Sequence, residues 1–435
     1  MERPVSSSSG PGSSHEVEIR NMSILQNDRS ILRRLADQQA AIASLPIHKE
    51  KILEWKRLNS NTLGRPLVWI NEIPWHEMDV DGELELQTTD PFCQEVEKTL
   101  RQTLYQWNHM PADMVVEAKF YSPLVIHDSG FGIGENSDMR ITDQSSDIVS
   151  RKYHPQIDGE EDLEKIKFPV ISHDEQASER KFQFLVEAFG DILTIEKVGI
   201  VHSWFAPWDE LIQWWGVQKA MTDLALRPTL VHQVMERLVT GYLSRLRQWK
   251  ELNLLSMTDG NYRVGSGGLG YTDELPQPDI NSRHVTTRDQ WGCGAAQIFS
   301  AVSPKMHEEF ALQYENRWME QFGLNYYGCC DALHNKLDIL KIIPNLRKIS
   351  MSPWADVERM VENSNGKYVL SYKPNPAVFA VDDWDPGLPQ SDLREMLEKA
   401  KGCVNEIIMK DISTVRYQPH RLWDWSRRTM DLVLA

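Results

Sequence analysis

The sequence has few cysteines for its length and no long apolar run. Its five cysteines, Cys93, Cys293, Cys329, Cys330 and Cys403, are scattered through 435 residues, which is not the spacing of a disulfide framework. Because no run of about 18 apolar residues occurs, we expect no transmembrane helix. The Ser-, Gly- and Pro-rich start also lacks the apolar stretch of a secretory signal. A cytoplasmic location is therefore the default expectation.

The sequence is also short of positive charge. Its 47 Lys and Arg residues stand against 63 Asp and Glu residues, which gives a net charge of −16. Nucleic acids and anionic membranes both require a basic surface, so we expect neither as a partner. A neutral or cationic small molecule stays open as a substrate class.

No internal repeat of fixed period is visible, but short apolar runs alternate with helical patterns. The strand candidates are residues 66–72, 114–120, 198–202, 254–257, 325–328, 346–351, 368–372 and 406–409. Helical patterns lie between most of them, at about 178–190, 209–225, 228–251, 304–322, 335–342, 355–364 and 391–404. This alternation predicts a parallel sheet, and eight such units predict an α/β fold of the (β/α)8 TIM barrel type.

The same patterns predict the organisation of the chain. We expect a disordered Ser/Gly-rich tail over residues 1–20, an N-terminal helical extension over 21–62 and the barrel over 63–435. Two long excursions, 121–177 and 258–303, are expected to lie over the C-terminal mouth. The second contains Gly265-Ser266-Gly267-Gly268-Leu269-Gly270, which matches G-x-G-x-x-G but is not followed by a helix. We therefore expect a flexible mouth loop there and no nucleotide site.

The stretch with the most chemical groups is Leu324-Asn325-Tyr326-Tyr327-Gly328-Cys329-Cys330-Asp331-Ala332-Leu333-His334. It reads as a buried strand that ends in two thiols, a carboxylate and an imidazole. Neighbouring side chains of a strand point to opposite faces, so we expect one thiol to face the pocket. That thiol would serve as a thiolate ligand or as a nucleophile. The alternative is a pair of small buried hydrophobic side chains.

Carboxylates follow three other strand candidates. Glu72 would act as a general acid or base or bind a cationic substrate, unless it only caps the following turn. Asp411 would catalyse or bind a metal, unless it forms an ion pair with Lys410 or Arg416. Asp259 would move protons, unless it stabilises a turn.

Basic and aromatic side chains also gather at the strand ends. His76 and His202 are candidate substrate-binding residues, although a histidine such as His202 is often a hydrogen-bonded core residue. Lys373 and Asn375 lie in a rigid Pro-rich loop, where the lysine would stabilise developing negative charge. The tryptophans near these ends suggest a cage for a methylated ammonium group, or simple packing under long loops. They are Trp75, Trp204, Trp208, Trp214, Trp215 and Trp291.

One helix and the strand after it resemble the uroporphyrinogen decarboxylase superfamily. The helix begins Ser303-Pro304-Lys305-Met306-His307-Glu308-Glu309-Phe310 and the strand ends in Cys329-Cys330. In that superfamily a SPEMFREF-like helix precedes a strand that ends in His-x-Cys-Gly. Residues 198–225 and 365–411 are similar to further strand–helix units, and the resemblance covers about 60–435. The superfamily includes the cobalamin-independent methionine synthase barrel and the anaerobic corrinoid and coenzyme M methyltransferases.

Two family signatures are altered in this sequence. Porphyrinogen decarboxylases carry Arg-Gln-Ala-Gly-Arg after the first strand, where this chain reads Asn71-Glu72-Ile73-Pro74-Trp75-His76. Glu72 would repel a polycarboxylate substrate, so we exclude porphyrinogen decarboxylation. The zinc methyltransferases carry His-x-Cys and a later Cys. Here Tyr327 or Gly328 stands in place of the His, and the later Cys position falls near Asp411.

The resemblance implies an enzyme that transfers a methyl (one-carbon) group of a small organic molecule. By analogy with the His-x-Cys-Gly alignment, Cys330 is the thiol that faces the pocket. Zinc would be held by Cys330, Asp411 and one of Glu72, His334 or Cys329. The expected substrate-binding residues are Glu72, Trp75, His76, His202, Trp204, Lys373 and Asn375, and Asp259 or His334 would move protons. A corrinoid protein partner and a homodimer are the assemblies to consider.

Two other functions stay open at this point. One is a lyase, such as a decarboxylase of a small acid, in which Lys373 holds the carboxylate and a carboxylic acid protonates the carbanion. The other is a catalytically silent barrel that binds a ligand or a partner protein.

Overall fold

The computed structural model describes residues 26–141, 150–278, 280 and 284–435. The tail expected over 1–20 lies outside this part of the chain. The helices are α1 (Gln26–Ala43), α2 (Ile47–Asn59), α3 (Pro91–His109), α4 (Glu175–Phe189), α5 (Pro207–Trp215), α6 (Val217–Leu226), α7 (Pro228–Glu251), α8 (Pro304–His307), α9 (Gln313–Met319), α10 (Leu337–Leu340), α11 (Val357–Ser364), α12 (Gly387–Lys399) and α13 (His420–Leu434). A π-helical turn (Glu308–Leu312) joins α8 to α9. Along the described chain no helix is long and apolar enough to cross a membrane.

The strands are β1 (Leu67–Ile70), β2 (Lys119–Pro123), β3 (Ile126–Asp128), β4 (Ser137–Arg140), β5 (Ser150–Tyr153), β6 (Ile171–His173), β7 (Thr194–Val198), β8 (Trp204–Phe205), β9 (Trp291–Gly294), β10 (Leu324–Tyr327), β11 (Leu346–Met351), β12 (Val369–Tyr372) and β13 (Asn405–Met409). Seven of them form a parallel sheet in the order β1-β13-β12-β11-β10-β9-β8. Helices connect its successive strands from β9 onwards, so the chain has the predicted α/β architecture with a parallel central sheet.

The remaining strands form small sheets. β2 pairs with β7 in parallel, with Lys119 beside Thr194. The pairs β3–β6 and β4–β5 are antiparallel and lie in the excursion expected over 121–177. The strand expected over 254–257 forms only one isolated bridge, between Ile200 and Leu255.

Residues of the central sheet alternate between two buried environments. On β13, Ile407 and Met409 belong to the large core that also contains Leu393 of α12 and Trp425 of α13. The alternating residues, Glu406 and Ile408, must therefore face the opposite side of the sheet. Since both faces of the strand are buried, β13 reads as the near-continuous apolar run that predicts a parallel strand.

The opposite, inner face of the sheet is polar and completely buried. Lys348 of β11 and Glu406 of β13 form an ion pair of 2.9 Å, and neither side chain is exposed to solvent. Burial by itself raises the pKa of Glu406, but the Lys348 ammonium and the Ser371 hydroxyl outweigh it and lower the pKa. A charge pair removed from water is stable only when further hydrogen bonds satisfy it. The backbone N–H of Gly268 supplies one of these bonds to Glu406 Oε1, at 3.2 Å.

The glycine-rich segment 264–272 packs against this inner face. All nine residues are buried, and a Cβ atom on Gly268 would overlap the ring of Trp55 and lie 3.0 Å from Glu406 Oε2. The Ser266 hydroxyl is 3.0 Å from the Tyr326 hydroxyl. The expectation of a flexible mouth loop was therefore wrong. The glycines allow close approach of the backbone to the sheet, which the letter pattern alone does not reveal.

Candidate functional site

Polar side chains from four segments meet at the carboxyl ends of the parallel strands. Glu72 follows β1, Cys329 and Cys330 follow β10, and Lys410 and Asp411 follow β13. With Arg263, which follows the isolated bridge at Leu255, these residues form what we call the strand-end cluster. The carboxyl ends of parallel strands are the usual position of active sites in α/β proteins.

The ammonium group of Lys410 lies at the centre of the strand-end cluster. Its Nζ atom is 2.5 Å from Asp411 Oδ2, 3.4 Å from Glu72 Oε2 and 3.6 Å from Cys329 Sγ. Only 2% of the side chain is exposed. Burial disfavours the charged ammonium, but the surrounding sulfur and carboxylate charges outweigh burial and raise the pKa of Lys410. Lys410 is therefore a permanent buried cation.

The two carboxylates of the cluster are attached to an unusual backbone. Glu72 has φ +52° and Asp411 has φ +55°, in the left-handed region that non-glycine residues rarely adopt. Glu72 Oε1 accepts a hydrogen bond of 2.8 Å from Arg263 Nη1, and Oε2 accepts one of 3.2 Å from the backbone N–H of Asp411. Burial would raise the pKa of Glu72, but Lys410, Asp411 and Arg263 lower it. Strained residues of this kind concentrate at functional sites.

The two thiols lie side by side. Their Sγ atoms are 3.5 Å apart, and the Cys330 thiol donates to Asp411 Oδ2 at 3.3 Å. The hydrogen bond from Cys330 and the charge of Lys410 lower the pKa of Cys329, while the pKa of Cys330 is raised by its neighbour and by burial. Cys329 is 1% exposed, whereas Cys330 is half-buried.

The expectation that the thiols point to opposite faces was wrong. Side chains alternate only within a strand, and β10 ends at Tyr327. Gly328, with φ +95°, turns the chain before the thiols. The turn is fixed by a hydrogen bond of 3.0 Å from the Cys329 N–H to Asp331 Oδ1 and by one of 2.5 Å from the Ser350 hydroxyl to the Cys329 carbonyl.

The donor atoms of the cluster do not fit the expected zinc ion. Within the described ranges, no three or more His, Cys, Asp or Glu side chains are arranged to hold one metal ion. Lys410 Nζ lies between the carboxylates and Cys329, where a metal cation would need to be. The other expected ligand, His334, lies apart, because its Nδ1 accepts a hydrogen bond of 3.2 Å from the backbone N–H of Asp356 at the start of α11.

Two more of the predicted residues, His202 and Lys373, lie near the strand-end cluster without being part of it. His202 is half-buried, with Nδ1 3.2 Å from the Arg263 carbonyl oxygen, and its ring stacks on Trp204 with the centroids 6.4 Å apart. Burial and the Arg263 charge lower the pKa of His202 to about 4. His202 is therefore a neutral imidazole, which can orient a substrate but does not supply positive charge.

Lys373 points to the inner face of the sheet. Its ammonium donates to the Tyr326 hydroxyl and to the carbonyl and hydroxyl oxygens of Ser371, the last two at 2.8 and 2.7 Å. Burial, opposed by the charges of Glu406 and Cys329, lowers the pKa of Lys373 to about 7. A substrate carboxylate would have to displace these three partners.

The remaining predicted residues have local partners outside the strand-end cluster. Trp75 packs edge-on to Tyr105, and His76 lies 3.6 Å from Glu77. The Asn375 side chain accepts from the Ala377 N–H at the start of a 3-10 helix. Burial raises the pKa of Asp259, which lies near Lys56 and Lys119 rather than in the cluster.

Four of the six tryptophans that suggested an aromatic cage do not assemble one. Trp208, Trp214 and Trp215 are 0–2% exposed and belong to the main core. Trp291 is also buried, with its ring 5.7 Å from Lys348 Nζ. These residues pack the fold, as the alternative interpretation of the tryptophans expected.

A second buried polar group lies behind the thiol strand and was not foreseen. The Tyr327 hydroxyl donates to Glu315 Oε2 at 2.5 Å and is 2.7 Å from His307 Nε2. Burial raises the pKa of Glu315 to about 8 and lowers that of His307 to about 3, so both are neutral near pH 7. The only sequence signal is the spacing of His307 and Glu315 on one helix, which carries the π-helical turn.

No protein-family model matches the sequence, and no curated protein matches it. Among solved structures, the chain is similar to a "methyltransferase from Methanosarcina mazei". The TM-score is 0.48 at 10% sequence identity, over 88% of this chain and 98% of that one. A likeness this remote carries no argument about the site or the reaction.

Proposed function

We propose that the chain is an enzyme that transfers a methyl (one-carbon) group of a small organic substrate at the carboxyl ends of its parallel strands. The observation that supports this proposal is the chain of contacts from Cys330 through Asp411 and Lys410 to Glu72. It places a half-buried thiol against a carboxylate that an ammonium group fixes. A nucleophile, an adjacent base and a group that orients the base are the parts that covalent catalysis requires.

The proposed architecture is the (β/α)8 barrel. β2 pairs with β7, and β7 leads along the chain into β8, the edge strand of the seven-stranded sheet; with β7 and β8 counted as one position, β2 adds the eighth. The segment before β2 reaches β1 at the other end of the order. Asp113 N–H donates to the Val68 carbonyl at 2.9 Å, and Val68 N–H donates to Asp113 Oδ2 at 2.7 Å. These contacts support a closed ring of eight strand positions.

In the proposed reaction the sulfur of Cys330 attacks a methyl carbon bonded to a heteroatom leaving group. The S–C bond forms as the bond from carbon to the leaving group breaks, and the leaving group departs with that electron pair. The proton of Cys330 passes to Asp411. An acceptor of the thiolate or reduced-corrinoid class then takes the methyl group, and the electron pair of the broken S–C bond returns to sulfur. Lys410 stabilises the negative charge throughout.

The lyase alternative is less well supported by the geometry. It requires Lys373 to bind a substrate carboxylate, but the Lys373 ammonium already has three hydrogen-bond partners on Tyr326 and Ser371. Moving it to a substrate would leave buried polar groups unpaired, at a cost of about 1–3 kcal/mol each.

Iodomethane provides a test that needs no knowledge of the natural donor. We expect it to methylate Cys330, distinguished by fragment ions from Cys329 on the same peptide, faster than the half-buried Cys403, because Asp411 Oδ2 accepts the proton of Cys330. Asp411→Asn should slow labelling of Cys330 on the order of tenfold or more, because the base is lost. Peptide mass spectrometry at timed intervals gives both rates in one sample.

Asp424→Asn is the matched control, because the Asp424 side chain is 33% exposed, close to the 35% of Asp411, and it pairs with Arg427 away from the thiols. It should leave both labelling rates unchanged. Labelling of Cys330 no faster than Cys403, or insensitive to Asp411→Asn, would refute the nucleophile and favour a silent ligand-binding barrel.

A further inference from the structure

The thiols of Cys329 and Cys330 are adjacent in sequence and also adjacent in space, with their Sγ atoms 3.5 Å apart. We propose that they form a reversible modification site, in which a small hydroperoxide oxidises the pair to a vicinal disulfide. This inference goes beyond methyl transfer and does not depend on it, because it requires only the two sulfurs and an oxidant.

The surroundings of the pair favour oxidation at this position in the chain. Thiolates react with peroxides, and the Lys410 ammonium 3.6 Å from Cys329 Sγ stabilises a thiolate there. Cys330 is half-buried and gives a small molecule access to the pair, whereas Cys93 and Cys293 are buried. A second thiol beside the first provides the resolving group that redox-active cysteines commonly have.

The reaction balances with one peroxide molecule. The thiolate sulfur attacks one oxygen, the O–O bond breaks, and hydroxide leaves with the electron pair as a sulfenic acid forms. The sulfur of the second cysteine then attacks the sulfenic sulfur. The S–S bond forms, the S–O bond breaks, and the hydroxyl group leaves as water with the thiol proton. Two electrons pass from the two sulfurs to the peroxide.

The resulting bond should be easily reduced. Neighbouring Cα atoms are about 3.8 Å apart across a trans peptide, which is shorter than the separation of about 4.4–6.8 Å that most disulfides span. The strain makes such a disulfide labile, as regulatory disulfides are. The thiols lie outside any strand, after Gly328, so the local backbone can adjust without breaking the ladder of β10.

Oxidation would alter the strand-end cluster directly. Asp411 Oδ2 would lose the hydrogen bond from Cys330, and Lys410 would lose the thiolate charge that it faces. The modified chain would therefore lack the nucleophile of the proposed reaction until a reductant restored it. The Sγ atoms of Cys329 and Cys330 would therefore make the site respond to the redox state of its surroundings.

The test counts thiols and weighs the peptide after brief exposure to dilute hydrogen peroxide. We expect two of the five thiols to disappear, the peptide of Cys329 and Cys330 to lose two hydrogens without gaining oxygen, and dithiothreitol to restore both. Cys403→Ala should behave as wild type. Cys330→Ser should instead trap a sulfenic acid on Cys329, detected with dimedone.

Three outcomes would overturn the proposal: retention of all five thiols, oxygen on either sulfur of the pair without an S–S bond, and a disulfide that joins the pair to Cys403 or to another chain. The thiol count and the peptide mass of the wild-type protein are enough to decide between these outcomes. The test therefore holds even if a variant fails to fold. Oxidation of the thiol pair is measured here, whereas the iodomethane experiment measures the methylation rate of Cys330, so failure of one proposal is distinguishable from failure of the other.

Discussion

Replacing Glu315 by Gln should remove part of the pH dependence of stability. Burial raises the pKa of Glu315 from 4.5 to about 8. The folded chain therefore holds a proton that the unfolded chain releases. This contribution to stability is complete below about pH 4.5 and is lost as the pH rises to about 8. Each pH unit in that window removes about 1.4 kcal/mol of unfolding free energy.

Between about pH 5 and pH 7.5 the wild type should lose about 3 kcal/mol more than Glu315→Gln, because glutamine cannot ionise. Urea unfolding followed by tryptophan fluorescence measures this difference, since Trp318 lies on the same helix. His307, whose pKa is lowered to about 3, destabilises both proteins equally as the pH falls and cancels. Glu308→Gln, an exposed change on the adjoining π-helical turn, is the control.

Parallel stability curves for wild type and Glu315→Gln would refute the assignment of a buried neutral carboxyl. A curve for Glu308→Gln that flattened like the Glu315→Gln curve would also refute it, because the effect would then follow surface charge. The expected result is that the two glutamine variants diverge and that their separation increases with pH.

Two other predictions concern the inner face of the sheet. Glu406→Gln should cost about 3–5 kcal/mol of unfolding free energy, because it leaves Lys348 as an unpaired buried charge, and adding Lys348→Met should recover much of that loss in the same urea assay. An unchanged midpoint in the single variant would contradict the buried pair. Gly268→Ala should lower stability by about 1–3 kcal/mol through overlap with Trp55, whereas Gly134→Ala, where a Cβ meets nothing within 4 Å, should not. Equal melting temperatures for the two alanine variants would contradict the packing of Gly268 against Trp55.

Apolar runs predicted the strands that are buried on both faces. The expected bounds of β11 agree with Leu346–Met351, and β12 and β13 agree within one residue. β9 was missed because Trp-Gly-Cys-Gly is half glycine, which has a low strand propensity. The strand expected over 198–202 forms only one isolated bridge, at Ile200; the strand of this region is β7, which begins at Thr194 and ends at Val198. Its charged residues Glu196 and Lys197 obscure the apolar pattern, because they lie in a small sheet with one exposed face.

The positions of Glu72, Cys330 and Asp411 after strand candidates predicted that these three residues would come together. The sequence pattern did not place Arg263 in the cluster. The path of segment 264–272, which follows Arg263, depends on how closely its backbone can approach the inner face of the sheet. The same sequence pattern predicted Lys410 only as an ion-pair partner of Asp411. That ion pair exists, but the same ammonium also contacts Glu72 and Cys329. Lys410 contacts groups that follow β1, β10 and β13, so its central position depends on how three strands are arranged. A pattern along the sequence does not contain that arrangement.

The buried segment 264–272 also constrains the order in which the chain can fold. Trp55 of α2 and Leu67 of β1 share a cluster with Leu269 and Val369, so α2 lacks part of its packing partners until residues 264–272 and β12 have been synthesised. β1 must then wait for β13, the last strand of the described chain, to complete the sheet. Contacts so distant in sequence close slowly. During synthesis α2 and β1 therefore expose apolar surface for a long time, which is the situation in which chaperones assist large domains.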